Sequence, residues 1–293
     1  MTEEAPPKKR WRYSISEVTT MQCSFEEDVA LYRQAGCTGM GVWGFKMESL
    51  GWRRAKDMLD ASGLTAANCI PEGNSILPYA LSPSPADPVA RVEAFLPNME
   101  RMAKLKPESV VVITGAKGDL SDERAREVFV NGFRRIGQVA SDLGVTVTLE
   151  PIHRSQVGSM TEIWDLPQAL RMVEEIGERS FKVLFDTWHL YDTVGILDLI
   201  DRHIESIGGV HIADWKVGET RTWADRAFPG EGKVPMAAFI NRLDAAGFKG
   251  TYDVEIFSDA GQFDHDYPDS LWKLAPEEIV SRATRIFRDG TLS

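Results

Sequence analysis

Eight short runs rich in apolar and β-branched residues recur along the chain at fairly even spacing. They cover residues 10–16, 39–43, 65–70, 109–115, 146–151, 182–187, 208–214 and 251–257. Several, such as "SVVVITG" and "KVLFDT", are almost continuously apolar, the pattern of strands covered on both faces. Helical patterns lie between them. "SFEEDVALYRQAG" sets Phe25, Val29 and Tyr32 at helical spacing, with Ser24 as a cap and Gly36 as a stop. "DERAREVFVNGFRRIGQVASDLG" puts Ala125, Val128, Phe129, Phe133, Ile136 and Val139 on one face. Strands alternating with helices imply a parallel sheet with right-handed crossovers. Eight such units in 293 residues most simply close into a single (β/α)8 barrel of the α/β class. The alternative is a doubly wound open sheet. It would carry a glycine-rich phosphate loop after its first strand, and "SISEVTTMQCS" has none.

The expected organisation is a flexible lead-in over 1–10 and one barrel domain over 11–293. The lead-in reads "MTEEAPPKKR" and lacks the apolar core of a signal peptide. No run approaches the ~20 apolar residues of a membrane span. Cys23, Cys37 and Cys69 are odd in number and scattered, which argues against a disulfide framework or a structural zinc site. They read as buried, reduced thiols, and the expected location is the cytoplasm. A net charge of −11 argues against nucleic acid and anionic membranes as partners.

In such a barrel the chemistry sits at the C-terminal ends of the strands. The fifth run ends in Glu150, the sixth in Asp186, the seventh carries His211 and ends in Asp214, and the eighth ends with Glu255. Crowded carboxylates repel one another and resist burial, and a divalent cation relieves both problems. Three carboxylates and a neutral imidazole suit one divalent ion. Manganese is the first choice, with magnesium, cobalt or zinc as alternatives. Asp186 taken alone reads equally well as a helix cap for "TWHL".

The segments "TVTLEPIHR", "VLFDTWH", "GGVHIADW" and "YDVEIFS" resemble the metal-site segments of the xylose-isomerase-like TIM-barrel superfamily, in particular its sugar phosphate isomerase/epimerase family. That family includes ketose 3-epimerases, hydroxypyruvate isomerases and inosose dehydratases. The resemblance implies that Glu150, Asp186, His211 and Glu255 are metal ligands, and that His189, three residues after Asp186, contacts substrate. It also implies a dimer or tetramer. Epimerases of the superfamily carry an Arg soon after the histidine of the seventh strand; here Lys216, Arg221 and Arg226 compete for that place.

Several other residues have two readings. His153 is a general acid near substrate or a loop residue. Arg154 binds a substrate carboxylate or hydroxyl, or makes a surface ion pair. Trp43, Trp188 and Trp215 stack on sugar C–H faces or pack between barrel and helices. Glu72 is a weaker candidate for substrate hydroxyls. The acidic loop with His265 is a lid or a solvated segment. "PGEG" at 229–232 offers backbone N–H groups, but Glu231 opposes an anion, so an unphosphorylated sugar or cyclitol is expected.

The expected activity is that of a divalent-metal-dependent isomerase or epimerase on a small ketose-like or cyclitol substrate. Glu150 and Glu255 would act as the acid–base pair, and the metal would stabilise the enediolate. The expected substrate-binding set is His189, His153, Trp43, Glu72, Lys216 and Arg226. The alternative is a metal-dependent lyase or dehydratase on a keto-sugar or inosose, including 3-keto-glycoside cleavage. A non-catalytic sugar-binding subunit is a third reading. A multi-metal endonuclease would need more than five histidines and a basic groove.

Overall fold

The computed structural model describes residues 11–218 and 220–288. The expected lead-in over 1–10 and the last five residues of the expected domain lie outside them. The strands are β1 (Tyr13–Ser16), β2 (Gly39–Gly41), β3 (Thr65–Ala66 and Asn68–Cys69, interrupted at Ala67), β4 (Ser109–Val112), β5 (Val147–Leu149), β6 (Phe181–Asp186), β7 (Ile207–Ile212) and β8 (Tyr252–Val254). All are parallel, and each pairs with its neighbour in sequence. β8 pairs back to β1. Closure runs through β3, whose first half pairs with β2 and second half with β4. The result is the TIM barrel expected from the alternation.

Helices follow the strands, those at Phe25–Gln34 and Asp122–Leu143 where the apolar spacing predicts them. α1 (Phe25–Gln34) begins in a full capping box between Ser24 and Glu27. α2 (Gly44–Leu50) and α3 (Trp52–Ser62) fill the second crossover. α4 (Pro88–Ala103) starts on an Asp87 cap, and α5 (Asp122–Leu143) buries Ala125, Phe129, Phe133 and Ile136 against the sheet. α6 (Leu166–Ile176), α7 (Thr187–Leu190), α8 (Ile196–His203), α9 (Met236–Ala246) and α10 (Pro276–Arg288) complete the ring. Cys23, Cys37 and Cys69 are buried free thiols. Among the described residues no helix is long and apolar enough to cross a membrane.

Because side chains alternate along a strand, every second residue faces the barrel axis. Barrel interiors are usually filled with Val, Ile and Leu. Here the deeper layer is polar. Ser14 donates to Asp253 at 2.6 Å, Ser109 to Asn68 at 2.8 Å, and Thr148 to Ser109 at 3.2 Å. One layer nearer the C-terminal mouth lie Glu150, Asp186, His211 and Glu255.

A second buried polar cluster pins α1 and α2 to the same end. Lys46 Nζ donates to the Glu17 and Thr20 carbonyls at 2.9 and 3.0 Å and to Asp28 Oδ2 at 2.6 Å. Asp28 also accepts from Thr20 Oγ1 at 2.6 Å. Glu17 Oε2 accepts the Trp43 N–H at 2.7 Å, so this cluster supports the loop that carries Trp43.

Candidate active site

Glu150 follows β5, Asp186 ends β6, His211 lies in β7 and Glu255 follows β8. All four are buried, and one ligand atom from each lies within 4.8 Å of the others. His211 Nδ1 is 3.2 Å from Glu150 Oε1 and 3.3 Å from Glu255 Oε2. The two readings of Asp186 prove compatible. Its Oδ1 caps α7, accepting the N–H groups of Trp188 at 2.6 Å and His189 at 3.2 Å. Its Oδ2 faces Arg226 Nη1 at 3.2 Å.

Burial pushes the Glu150 carboxyl up to about 7, although His211 pulls the other way. Burial likewise raises Asp186, against the pull of Arg226 and His211. Burial opposes ionisation of Glu255 too, but His211 and Arg226 overcome it and hold this group below its ordinary value. Burial disfavours the His211 imidazolium, yet Glu255 and Glu150 hold its pKa well above the ordinary value. Three carboxylates meet one guanidinium, and the remaining negative charge must be balanced by protons or by a cation. An oxygen-rich set with one imidazole is the donor chemistry of a divalent ion, so the residues present fit such an ion.

His189 and Arg226 flank the quartet. Burial, then the Arg226 charge, pushes His189 well below the ordinary imidazole value, so it is neutral at pH 7. Its Nδ1 accepts the His153 backbone N–H at 2.9 Å. A neutral imidazole has one acceptor and one donor nitrogen. The proton therefore sits on Nε2, and the 3.2 Å approach of Arg226 Nη2 to that atom is a contact between two donors. Asp186 Oδ2 lies 3.7 Å from the same nitrogen. Arg226 is 2 % exposed and sits against the rings of Trp188 and Phe257, with Nη1 3.4 Å from Glu255 Oε2.

Above this floor opens a cavity of about 340 Å³. Trp43, Glu72, Glu150, His189, Arg226 and Glu255 are among the residues that line it. Its upper wall is apolar: Phe45, Trp223, Phe257, Phe263, Leu81 and Met160. Phe263 comes from the acidic loop after β8. Asp259 organises that loop by accepting the N–H groups of Gly261, Phe263 and His265.

Other residues fall elsewhere. Lys216 is not among the cavity's lining residues; its ammonium pairs with Asp225 Oδ1 at 2.5 Å. Arg221 pairs with Asp225 and Asp269. Of the three basic residues left open by the sequence, only Arg226 enters the site. It can do so because Asp214–Trp215 and Arg226–Ala227 pair as an antiparallel ribbon that folds the loop back over the mouth. Asp214 is the clamp of the "PGEG" segment, accepting from Trp215, Gly230, Gly232 and Val234. Trp188 and Trp215 stack on each other with centroids 4.2 Å apart, and Trp188 is fully buried, so packing rather than sugar contact describes it. His153 packs on Trp215 and orients His189 through its backbone, and Arg154 makes an exposed ion pair with Asp192. The sequence reading missed Trp223, Phe257 and Phe263, which are scattered over two loops. It also missed Asp253, whose signal was its spacing of two from Glu255 on one strand.

A family model described as xylose isomerase-like TIM barrel matches residues 29–288. The chain belongs to that family. The curated proteins it matches include inosose dehydratase, inosose isomerases, 3-dehydroshikimate dehydratases and ketose 3-epimerases. It is 24% identical to inosose dehydratase of Geobacillus thermodenitrificans over 151 residues, 47% of this chain and 49% of that protein. It is 27% identical to L-ribulose 3-epimerase of Mesorhizobium japonicum over 125 residues, 42% of this chain and 38% of that protein. The chain thus spans half or less of the length of these relatives. Among solved structures, protein SMc04130 from Sinorhizobium meliloti is 25% identical, with a TM-score of 0.83 over 94% of this chain and 97% of that one.

Proposed function

We propose that this protein is a divalent-cation-dependent isomerase or epimerase acting on a small ketose-like or cyclitol substrate. The observation that carries the reading is the convergence of four buried donors from neighbouring strands, Glu150, Asp186, His211 and Glu255, of which Glu150 and Glu255 line one cavity. Two carboxyls from different strands that face one cavity can serve as an acid–base pair. Glu150, Asp186, His211 and Glu255 would hold the ion, with manganese the first choice. When bound, the ion supplies positive charge that polarises a substrate carbonyl and orients the adjacent hydroxyl.

The chain's own residues do the rest. Glu255, ionised, removes the proton from the carbon next to the carbonyl. Glu150, which follows β5 and is separated from β8 by two strands, returns a proton to the carbon chain. Delivery to the opposite face of the same carbon epimerises; delivery to the neighbouring carbon isomerises. His189 donates from Nε2 to a substrate oxygen, and Arg226 offsets negative charge as it develops. The half-buried aromatic residues exclude water above the reacting carbons.

A second reading is supported by that same apolar wall of Phe45, Trp223, Phe257, Phe263, Leu81 and Met160. It suits a keto-sugar bearing an apolar substituent, and loss of that substituent or of water would make the enzyme a lyase. One experiment separates the readings: NMR of the Mn²⁺-loaded protein in D₂O with a panel of ketoses, inososes and 3-keto-glucosides. Deuterium at carbon without loss of a fragment supports the isomerase. Release of water or aglycone supports the lyase. Glu150→Gln and Glu255→Gln should each abolish turnover, and a folded variant at either position that keeps full activity refutes the two-carboxylate scheme.

A further inference from the structure

We propose that Asp253 is a positioning residue of the candidate cation site. It holds His211 so that Nδ1 presents its lone pair to the space bounded by Glu150, Asp186 and Glu255. This rests on reading the quartet as a cation site.

Asp253 and His211 are paired residues of the adjacent strands β8 and β7. The period of two sets Asp253 on the same interior face as Glu255, one layer deeper. The two nitrogens of His211 therefore meet different carboxylates. Nδ1 faces Glu150 and Glu255 at 3.2 and 3.3 Å, while Nε2 lies 3.7 Å from Asp253 Oδ2. Both His211 Nε2 and Asp253 Oδ2 are buried, and neither has a hydrogen-bond partner. The gap exceeds a hydrogen bond, and among the described residues no other acceptor meets Nε2.

Asp253 is itself well anchored. Its Oδ1 accepts from Ser14 at 2.6 Å. Its Oδ2 occupies a niche that depends on Gly41, where a Cβ would stand 2.2 Å from that oxygen. A buried carboxylate is a costly way to fill a barrel, and an apolar side chain of similar volume is commonly neutral or stabilising in such a place. Fold stability therefore gives no reason for Asp253. Ligand orientation does: a metal-binding imidazole that gives its second N–H to a carboxylate is locked in one tautomer and made more basic.

The test uses the full-length protein, stripped of metal and titrated with Mn²⁺ by calorimetry at a temperature where each variant is fully folded. Asp253→Val should weaken Mn²⁺ binding by about 10–100-fold, and Asp253→Asn, which keeps an acceptor but not the charge, by less. The metal-free melting temperature should stay level or rise in both. A melting temperature that falls while Mn²⁺ affinity stays within about threefold would show a structural role and overturn the proposal. Should Asp253→Val not fold, Asp253→Asn and Ser14→Ala carry the same decision. Ser14→Ala frees the carboxylate and should also weaken binding. Wild-type protein that binds no Mn²⁺ overturns the quartet reading itself, an outcome distinct from failure of the Asp253 role.

Discussion

Lys46→Met should destabilise the protein strongly at pH 8 and weakly at pH 5. Lys46 and Asp28 form a buried pair at 2.6 Å, with side-chain exposures of 5% and 0%. Removing one partner of such a pair costs about 3–5 kcal/mol, because the other charge is left buried and uncompensated. Unfolding entropy is about 2.1 cal/mol/K per residue near 60 °C. For 293 residues that is about 0.6 kcal/mol/K, so the melting temperature should drop by about 5–8 °C. The pH dependence follows from Asp28, whose carboxyl burial raises from 3.8 to about 6 even with Lys46 beside it. A raised carboxyl contributes stability that is fully present below the unfolded value and is lost as pH rises through the folded one. Without Lys46 the folded value climbs further, so the variant loses more than the parent between pH 6 and 8. At pH 5 Asp28 is largely protonated in the folded state of both, and the gap should shrink to the part that the stranded Glu17 and Thr20 carbonyls contribute. Scanning calorimetry at both pH values checks this. Asp28→Leu added to Lys46→Met should recover most of the loss at pH 8. An equal drop at both pH values, or a double variant no better than Lys46→Met, would refute the account.

Arg226→Met should lower kcat/KM by at least about 100-fold, a loss of roughly 2.7 kcal/mol of transition-state stabilisation, while Mn²⁺ affinity stays level or tightens, because its charge competes for the Asp186 and Glu255 oxygens; calorimetry showing weaker Mn²⁺ binding would count against this. Asp214→Ala strands four backbone N–H groups and should expose the 229–234 segment to limited proteolysis, at a stability cost of about 2–4 kcal/mol; an unchanged cleavage pattern contradicts the clamp. Burial pushes the Cys23 and Cys37 thiols up to about 12 and raises Cys69 further. A thiol-specific chromogenic reagent at pH 8 should therefore label none of the three until denaturant is added, and rapid labelling of native protein would show that the thiols are accessible.

The four donors stood out because Glu150, Asp186 and Glu255 close their runs and His211 lies near the end of its own, and a parallel barrel gathers its strand ends at one mouth. The same logic could have found Asp253, which shares the interior face of β8 with Glu255. The aromatic wall gave no such signal, since Trp223 and Phe263 stand in loops without periodicity and meet only after the chain folds back. Lys216 and Arg226 looked interchangeable along the chain. The short ribbon between Asp214–Trp215 and Arg226–Ala227 separates them, sending Arg226 under the loop and leaving Lys216 with Asp225.

The alternation of strands and helices, and with it the parallel barrel, follows from the chain itself; its strand ends offered Glu150, Asp186, His211, Asp214 and Glu255 as donors, from which the family resemblance picked four. Hydrophobic period and strand-end polarity are local properties, written residue by residue. The tertiary structure alone decided which basic side chain enters the site, which nitrogen of His189 carries its proton, and what stands beneath His211. Those outcomes depend on contacts between residues tens of positions apart, where burial removes water and leaves each polar atom only the partners the fold brings to it.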